Sequence, residues 1–164
     1  MGSSITLTID LCPQPTDAVR ALIGELDGEL SAMYSIEQRH GLTLDAIFQP
    51  HIRFFLARLN GVAVGCGGVA LFPEFAEVKR MFVRESVRGR GVAQALLARI
   101  EAESLKAGQP MLRLETGQCQ GAALRLYAKA GFKTCAAFGV YTLMSPEAIV
   151  ASVFMEKQLK PPTT

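Results

Sequence analysis

Between a strand-like run ending at Val83 and a helical run beginning at Val92 lies Arg84-Glu85-Ser86-Val87-Arg88-Gly89-Arg90-Gly91, a turn rich in arginine and glycine. Glycines at 89 and 91 remove side chains where the chain must turn tightly and come close to a ligand. The helix that follows opens with N–H groups that no earlier carbonyl takes up, at the positive end of its dipole. That combination suits a phosphate or pyrophosphate, and Arg88 and Arg90 add cationic donors. The segment is not a P-loop, since no Gly-Lys-Ser/Thr closes it, and it lacks the three glycines of the dinucleotide fingerprint. A glycine-rich strand-to-helix turn also serves simply to build folds, so its neighbours decide its meaning.

Residues 4–11 alternate polar and apolar as a first strand, which Pro13 and Pro15 end. Thr16 is placed to cap a helix running toward Ser31, with Val19, Leu22, Ile23, Leu26 and Leu30 as its buried stripe. Residues 33–50 are weakly periodic and read as a short helix with loops, the place for an irregular substrate wall. Residues 52–59, 63–71 and 75–83 are strand-like, and Asn60-Gly61 is a hairpin signal, so the centre of the chain is an antiparallel meander. Val92, Leu96, Leu97 and Ile100 then recur at helical spacing until Ala107-Gly108. Strands are expected at 111–116, 132–137 and 152–159, with a helix at 120–130. This order predicts an α/β (α+β mixed) class, a mostly antiparallel twisted sheet flanked by helices. One domain over residues 1–160 is expected, with a flexible tail at 161–164.

The 164 residues are 49% hydrophobic and only 20% charged, enough to bury a core and too apolar for general disorder. Seventeen basic residues stand against 15 acidic ones, which argues against a protein that coats nucleic acid through diffuse positive charge. Lys79, Arg80, Arg84, Arg88 and Arg90 do cluster, but aromatics are sparse among them and a diphosphate accounts for the charge locally. No apolar stretch reaches membrane-spanning length and no secretory leader is legible. Cys12, Cys66, Cys119 and Cys135 are far apart and not grouped with histidine, so no metal site is expected; reduced thiols and a cytoplasmic location are.

Arg88-Gly89-Arg90-Gly91-Val92-Ala93 matches the Gln/Arg-x-x-Gly-x-Gly/Ala signature of the GNAT superfamily of N-acetyltransferases. It follows Ala76-Glu77-Val78-Lys79-Arg80-Met81-Phe82-Val83, and a second signature, Gln120-Gly121-Ala122-Ala123-Leu124-Arg125-Leu126-Tyr127 with Gly131-Phe132, comes in the right order. The chain therefore resembles that superfamily over most of its length, in particular a bacterial small-molecule branch. The resemblance implies acetyl-CoA as cosubstrate, no metal, and a homodimer. It places the backbone of Met81, Phe82 and Val83 on the pantetheine arm and residues 88–93 on the diphosphate. Two diverging strands, ending near Val83 and Glu115, would open the sheet for the arm. Family members often carry asparagine where this chain has Gln120, a cofactor contact whose amide here lies one methylene further out; Gln118 is a local substitute.

Aminolysis of a thioester needs a neutral amine, a stabilised oxyanion and often a proton for the leaving thiolate. The resemblance makes Tyr127 the acid, a core tyrosine on a helix being the plainer role. It makes Glu77 the base, since strand alternation sets it on one face with Phe75, Lys79, Met81 and Val83. Glu77 can equally hold the substrate's ammonium or pair with a basic neighbour, and water can carry the proton instead. Glu37 and His40 lie in Tyr34-Ser35-Ile36-Glu37-Gln38-Arg39-His40-Gly41-Leu42, similar to a stretch of the bacterial branch, and are candidates to bind substrate. Cys119 precedes a helix N-terminus that favours a thiolate, yet direct transfer needs no acetyl-cysteine. The expected reaction is direct attack by a primary amine in a ternary complex. A small molecule is preferred as acceptor, with amino acids, polyamines, antibiotic-like amines and protein amines all open. A coenzyme A-binding sensor without catalysis is the non-enzymatic alternative.

Overall fold

The apolar run Phe54-Phe55-Leu56-Ala57 has no polar face to offer water, and the computed structural model, which describes residues 2–161, buries both of its faces. It belongs to β2 (Ile52–Leu59), which forms an antiparallel meander with β3 (Val62–Leu71) and β4 (Ala76–Val83). Asn60 and Gly61, at φ 49° and 82°, make the β2–β3 turn, the positive-φ pair that matches strand twist. β1 (Leu7–Leu11) lies outside β2, three residues shorter at its start than the alternation suggests. β5 (Met111–Gly117), β6 (Lys133–Thr134) and β7 (Ser152–Gln158) complete a seven-stranded sheet of order β1-β2-β3-β4-β5-β7-β6. Only β4 and β5 run parallel.

Helices cover both faces. On one, α1 (Asp17–Met33), capped by Thr16, buries Val19, Leu22, Ile23 and Leu26 against Phe54, Leu56, Cys66 and Phe82. A one-turn helix, α2 (Leu44–Ile47), adds Ile47. On the other face α3 (Val92–Lys106) makes the crossover from β4 to β5 and sets Val92, Leu96, Leu97 and Ile100 against Phe55, Ala57, Val69, Leu112 and Leu114. α4 (Gly121–Lys129) joins the same core through Tyr127.

The strand expected at 132–137 shrinks to the two residues of β6. β7 takes the whole length of β5, from Met111↔Gln158 to Gly117↔Ser152, so β6 is left as an edge. After it, Phe138 turns inward to an aromatic cluster with Phe75, Tyr141 and Phe154. A 3-10 helix at Gly139–Leu143 and the short α5 (Pro146–Ile149) follow, neither signalled by periodicity. The tail expected at 161–164 lies outside the described residues except for Pro161, which is exposed.

Two irregularities in β4 shape everything built on it. It pairs with β5 only at Ala76↔Leu112 and Glu77↔Arg113, and the two strands then part. It also bulges: Arg80 and Met81 stand opposite the single Gly67, with Arg80 at φ 54°. A β-carbon on residue 67 would meet Met81 Sδ at 2.5 Å, so the Met81 side chain packs into the space that this glycine leaves. Leu96 and Leu114 sit at the centre of the larger core, 0% and 1% exposed. Leu96→Ala or Leu114→Ala is expected to cost about 2–5 kcal/mol in urea unfolding, and Val62→Ala, at an exposed site, under about 0.5 kcal/mol.

Candidate functional site

Where β4 and β5 part, a cleft of about 440 Å³ opens. Met81, Phe82 and Val83 form one wall; Arg88, Gly89 and Gly91 of the turn, then Val92 and Ala93 of α3, close its end. Gly89 and Gly91 take φ 84° and 81°, left-handed values that strain any L side chain, and the space around both is open. Gly91 caps α3 without a side-chain bond, and the first backbone bond into the helix runs from Ala95 N to Gly91 O at 3.1 Å. The N–H groups of Val92, Ala93 and Gln94 therefore have no helical partner, which fits a diphosphate.

The arginines divide. Arg88 lines the cleft, donating from Nε to Val83 O at 3.0 Å and pairing with Glu29 of α1 at 3.1 Å. Arg90 is exposed and lies outside the cleft lining. Arg84 pairs with Glu25 and Arg80 with Asp27, so α1 supplies carboxylates for three of the five cations in the basic cluster, and Glu77 answers Lys79.

A second cavity, about 110 Å³, adjoins the cleft on the α1 side. Leu26, Met81, Gln120, Ala123 and Tyr127 line both. Inside it Glu77, only 4% exposed, accepts from Lys79 Nζ at 2.7 Å and from the Tyr141 hydroxyl at 2.8 Å. Both partners share Oε2, which leaves Oε1 for an incoming donor. Lys79 also donates to the Tyr141 hydroxyl at 3.2 Å. The expected common face of Glu77 with Met81 and Val83 is not what forms. The bulge at Arg80 reverses the alternation, so Glu77 and Lys79 face the cavity while Met81 and Val83 pack with the α3 core.

Tyr127 is buried, its ring edge-on to Phe132 with centroids 5.7 Å apart, and burial holds its hydroxyl above the ordinary phenol range. His40 reaches the cavity, with Nε2 2.7 Å from Ala148 O. Glu37 does not: it is exposed on a 3-10 turn, Ile36–Gln38, and lines neither space. Gln120 lines both spaces but spends its carbonyl oxygen on its own turn, accepting from Gly117 N at 2.8 Å and Thr116 Oγ1 at 3.0 Å. Gln118 is exposed and lines neither space. Cys119 is exposed at the edge of the cleft.

Three residues of the site are not among the sequence candidates for catalysis or binding. Tyr34 follows the last turn of α1, and its hydroxyl accepts from Cys119 N at 2.8 Å, pinning that helix end to the β5–α4 turn. A β-carbon at Gly117 would collide with the Tyr34 ring. Tyr141 arrives from the 3-10 helix near the chain's end; burial, then Glu77 and Glu115, raise its hydroxyl. Glu115 of β5 accepts from Ser152 Oγ at 2.9 Å. Burial lifts its carboxyl above the ordinary range, against the pull of that bond and of His40 and Lys79. An isolated tyrosine or glutamate gives no such signal, because segments far apart in sequence bring these three together.

The acetyltransferase (GNAT) family profile matches residues 17–132. An "IAA acetyltransferase" of Azospirillum brasilense is 45% identical over 145 residues, 87% of this chain and 92% of its own length. A putative acyl-CoA N-acyltransferase from Klebsiella pneumoniae shares the fold at TM-score 0.76, with 33% identity over 94% of this chain and 98% of that one. A GNAT family acetyltransferase from Elizabethkingia anophelis, solved with acetyl-CoA bound, superposes at TM-score 0.64 with 20% identity over 96% of this chain and all of that one, a likeness of fold alone. Matched through its glycine turn and its Tyr127 helix alike, the chain belongs to the acetyltransferase (GNAT) family.

Proposed function

We propose that the protein is an N-acetyltransferase that moves the acetyl group of acetyl-CoA to a primary amine of a small molecule, by direct attack in a ternary complex. The observation that carries this reading is that Tyr127 lines both the cleft and the cavity, at the one place where a thioester and an amine would meet. The family, and the acetyl-CoA seen in the Elizabethkingia neighbour, support the cosubstrate. The donors at Val92, Ala93 and Gln94, with Arg88, suit its diphosphate, and the unpaired edge of β4 at Met81–Val83 suits the amides of its arm. When bound there, acetyl-CoA supplies an acyl carbon activated as a thioester. A cavity of about 110 Å³ favours a small acceptor over a folded protein surface.

The residues divide the proton work. Tyr127, kept protonated by burial, is a hydrogen-bond donor to the departing sulfur. Glu115 is assigned as the base, because it lines the cavity and burial raises its carboxyl toward the proton affinity that deprotonating an amine at neutral pH demands. Glu77, with Oε2 already committed, holds the incoming ammonium through Oε1. His40 shapes the far wall.

An amine library with acetyl-CoA, followed by free thiol and product mass, tests the reaction; acetyl-CoA bound without amine-dependent thiol release would leave a sensor instead. Tyr127→Phe keeps the ring packing and is expected to lower kcat on the order of 10²-fold with little change in acetyl-CoA affinity. The rate should fall as pH drops through a pKa above the usual carboxylate range, because the base is then protonated, and Glu115→Gln should remove that limb. Glu77→Gln should raise KM for the amine and keep the limb; loss of the limb in Glu77→Gln alone would transfer the base role to it. In native protein Cys119 should react first with a thiol reagent and be protected by acetyl-CoA. Buried Cys12, and Cys66 with its thiol pushed up to about 12, should react only on unfolding.

A further inference from the structure

The acceptor cavity holds more positive charge than an amine requires. Three cations line it, and Lys79 alone is answered within it, by Glu77 at 2.7 Å. The Arg80 side chain is 4% exposed and pairs outward with Asp27, itself half-exposed. Its Nε is buried and has no hydrogen-bond partner among the described residues. Arg39, on the loop between α1 and α2, also has a buried Nε without a partner and enters none of the ion pairs among the described residues. Two arginines that line the same small space thus each keep a buried Nε–H unsatisfied. Guanidinium donates only, so each needs an acceptor oxygen, and leaving it without one is costly.

The position of Arg80 is itself unusual. Its φ of 54° is one a side chain rarely adopts, and it is the bulge residue that turns this cation to the cavity side of β4. Gly41 makes room for it, since a β-carbon there would fall on the Arg80 guanidinium. A strained backbone, a missing side chain and a desolvated charge converge on one point. Core packing alone would be served better by an apolar residue.

On the strands, Glu77 Oε1 and Glu115 offer acceptors to an ammonium, as the proposed reaction asks. The cavity therefore offers both signs of charge to one small ligand. We infer that the acceptor is zwitterionic: a small amino acid whose carboxylate is held by the guanidinium groups of Arg39 and Arg80 while its amine lies among Glu77, Glu115 and Tyr127. A carboxylate matches the planar fork of a guanidinium and gives Arg39 the opposite charge that no described residue supplies. This inference rests on the acetyl-transfer reading and adds the substrate class to it.

Binding tests it apart from turnover. L-Alanine, β-alanine and γ-aminobutyrate, their carboxamides, and n-propylamine are titrated by calorimetry into protein saturated with coenzyme A. At least one amino acid is expected to bind tenfold or more tightly than its carboxamide. Arg39→Gln is expected to bring that ratio to about one without changing the affinity for coenzyme A. Carboxamides or propylamine binding as well as the amino acids, no amino acid binding at all, or a ratio that survives Arg39→Gln would each overturn the inference. Thiol release from acetyl-CoA with the same compounds separates the two readings. Equal release with propylamine and amino acids sustains acetyl transfer and sinks the anion subsite. Preferential amino acid binding with no release sustains the subsite and sinks acetyl transfer.

Discussion

β4 and β5 hold each other for two residue pairs and then let go. In a parallel sheet every further pair would satisfy backbone donors and acceptors, so stopping early leaves main-chain groups of Met81, Phe82 and Val83 exposed along an interior edge. An open edge of this kind can pair with an extended amide-bearing group, as the proposed cosubstrate has. The parting is maintained from both sides. β5 gives its other edge wholly to β7, across seven consecutive pairs, and β4 is turned by its bulge at Arg80 and Met81. α3, starting at Gly91, closes the far end with unpartnered N–H groups. The cleft and the cavity beside it both follow from one interrupted ladder.

Ion pairs add to the apolar packing that holds α1 over the opening. Its Glu25, Asp27 and Glu29 meet Arg84, Arg80 and Arg88, one cation inside β4 and two beyond its end. The two outer pairs are largely exposed and worth roughly 0–1 kcal/mol each, so orientation is their main contribution. The Arg80 pair differs because its cation is desolvated and cannot be left alone. At the helix end, Tyr34 takes the Cys119 N–H and reaches across Gly117. α1 is thereby tied both to the strand that opens the cleft and to the turn that faces it.

What the sequence disclosed is what depends on backbone and on local pattern. The hairpin at Asn60-Gly61, the stripes of α1 and α3, and the glycine turn before Val92 each follow from residues a few positions apart, and each forms as expected. Alternation failed along β4 because one extra residue reverses it, and neither Arg80 nor Gly67 advertises a bulge in isolation. It failed again at 132–137, where β7 competes for β5 from some twenty residues away and leaves an edge two residues long. Glu37 looked the equal of His40 in sequence; a 3-10 turn sends one to solvent and the next loop brings the other into the cavity.

The same division separates the two halves of the site. The half proposed for the cofactor is built largely of main chain, an open strand edge and a helix start, with glycine at the turn. Its chemistry is tolerant of the side chains around it and legible in a short motif. The acceptor half is built of side chains from four distant places: Tyr34 at the end of α1, His40 on a loop, Glu77 and Glu115 on the parted strands, Tyr141 near the C-terminus. No spacing rule links them, because their proximity is a product of the finished fold. On the proposed function, exchanging these side chains is expected to alter acceptor preference while the ladder that opens the cleft stays as it is, since none of them supplies the open backbone edge of Met81–Val83 or the N–H groups that begin α3.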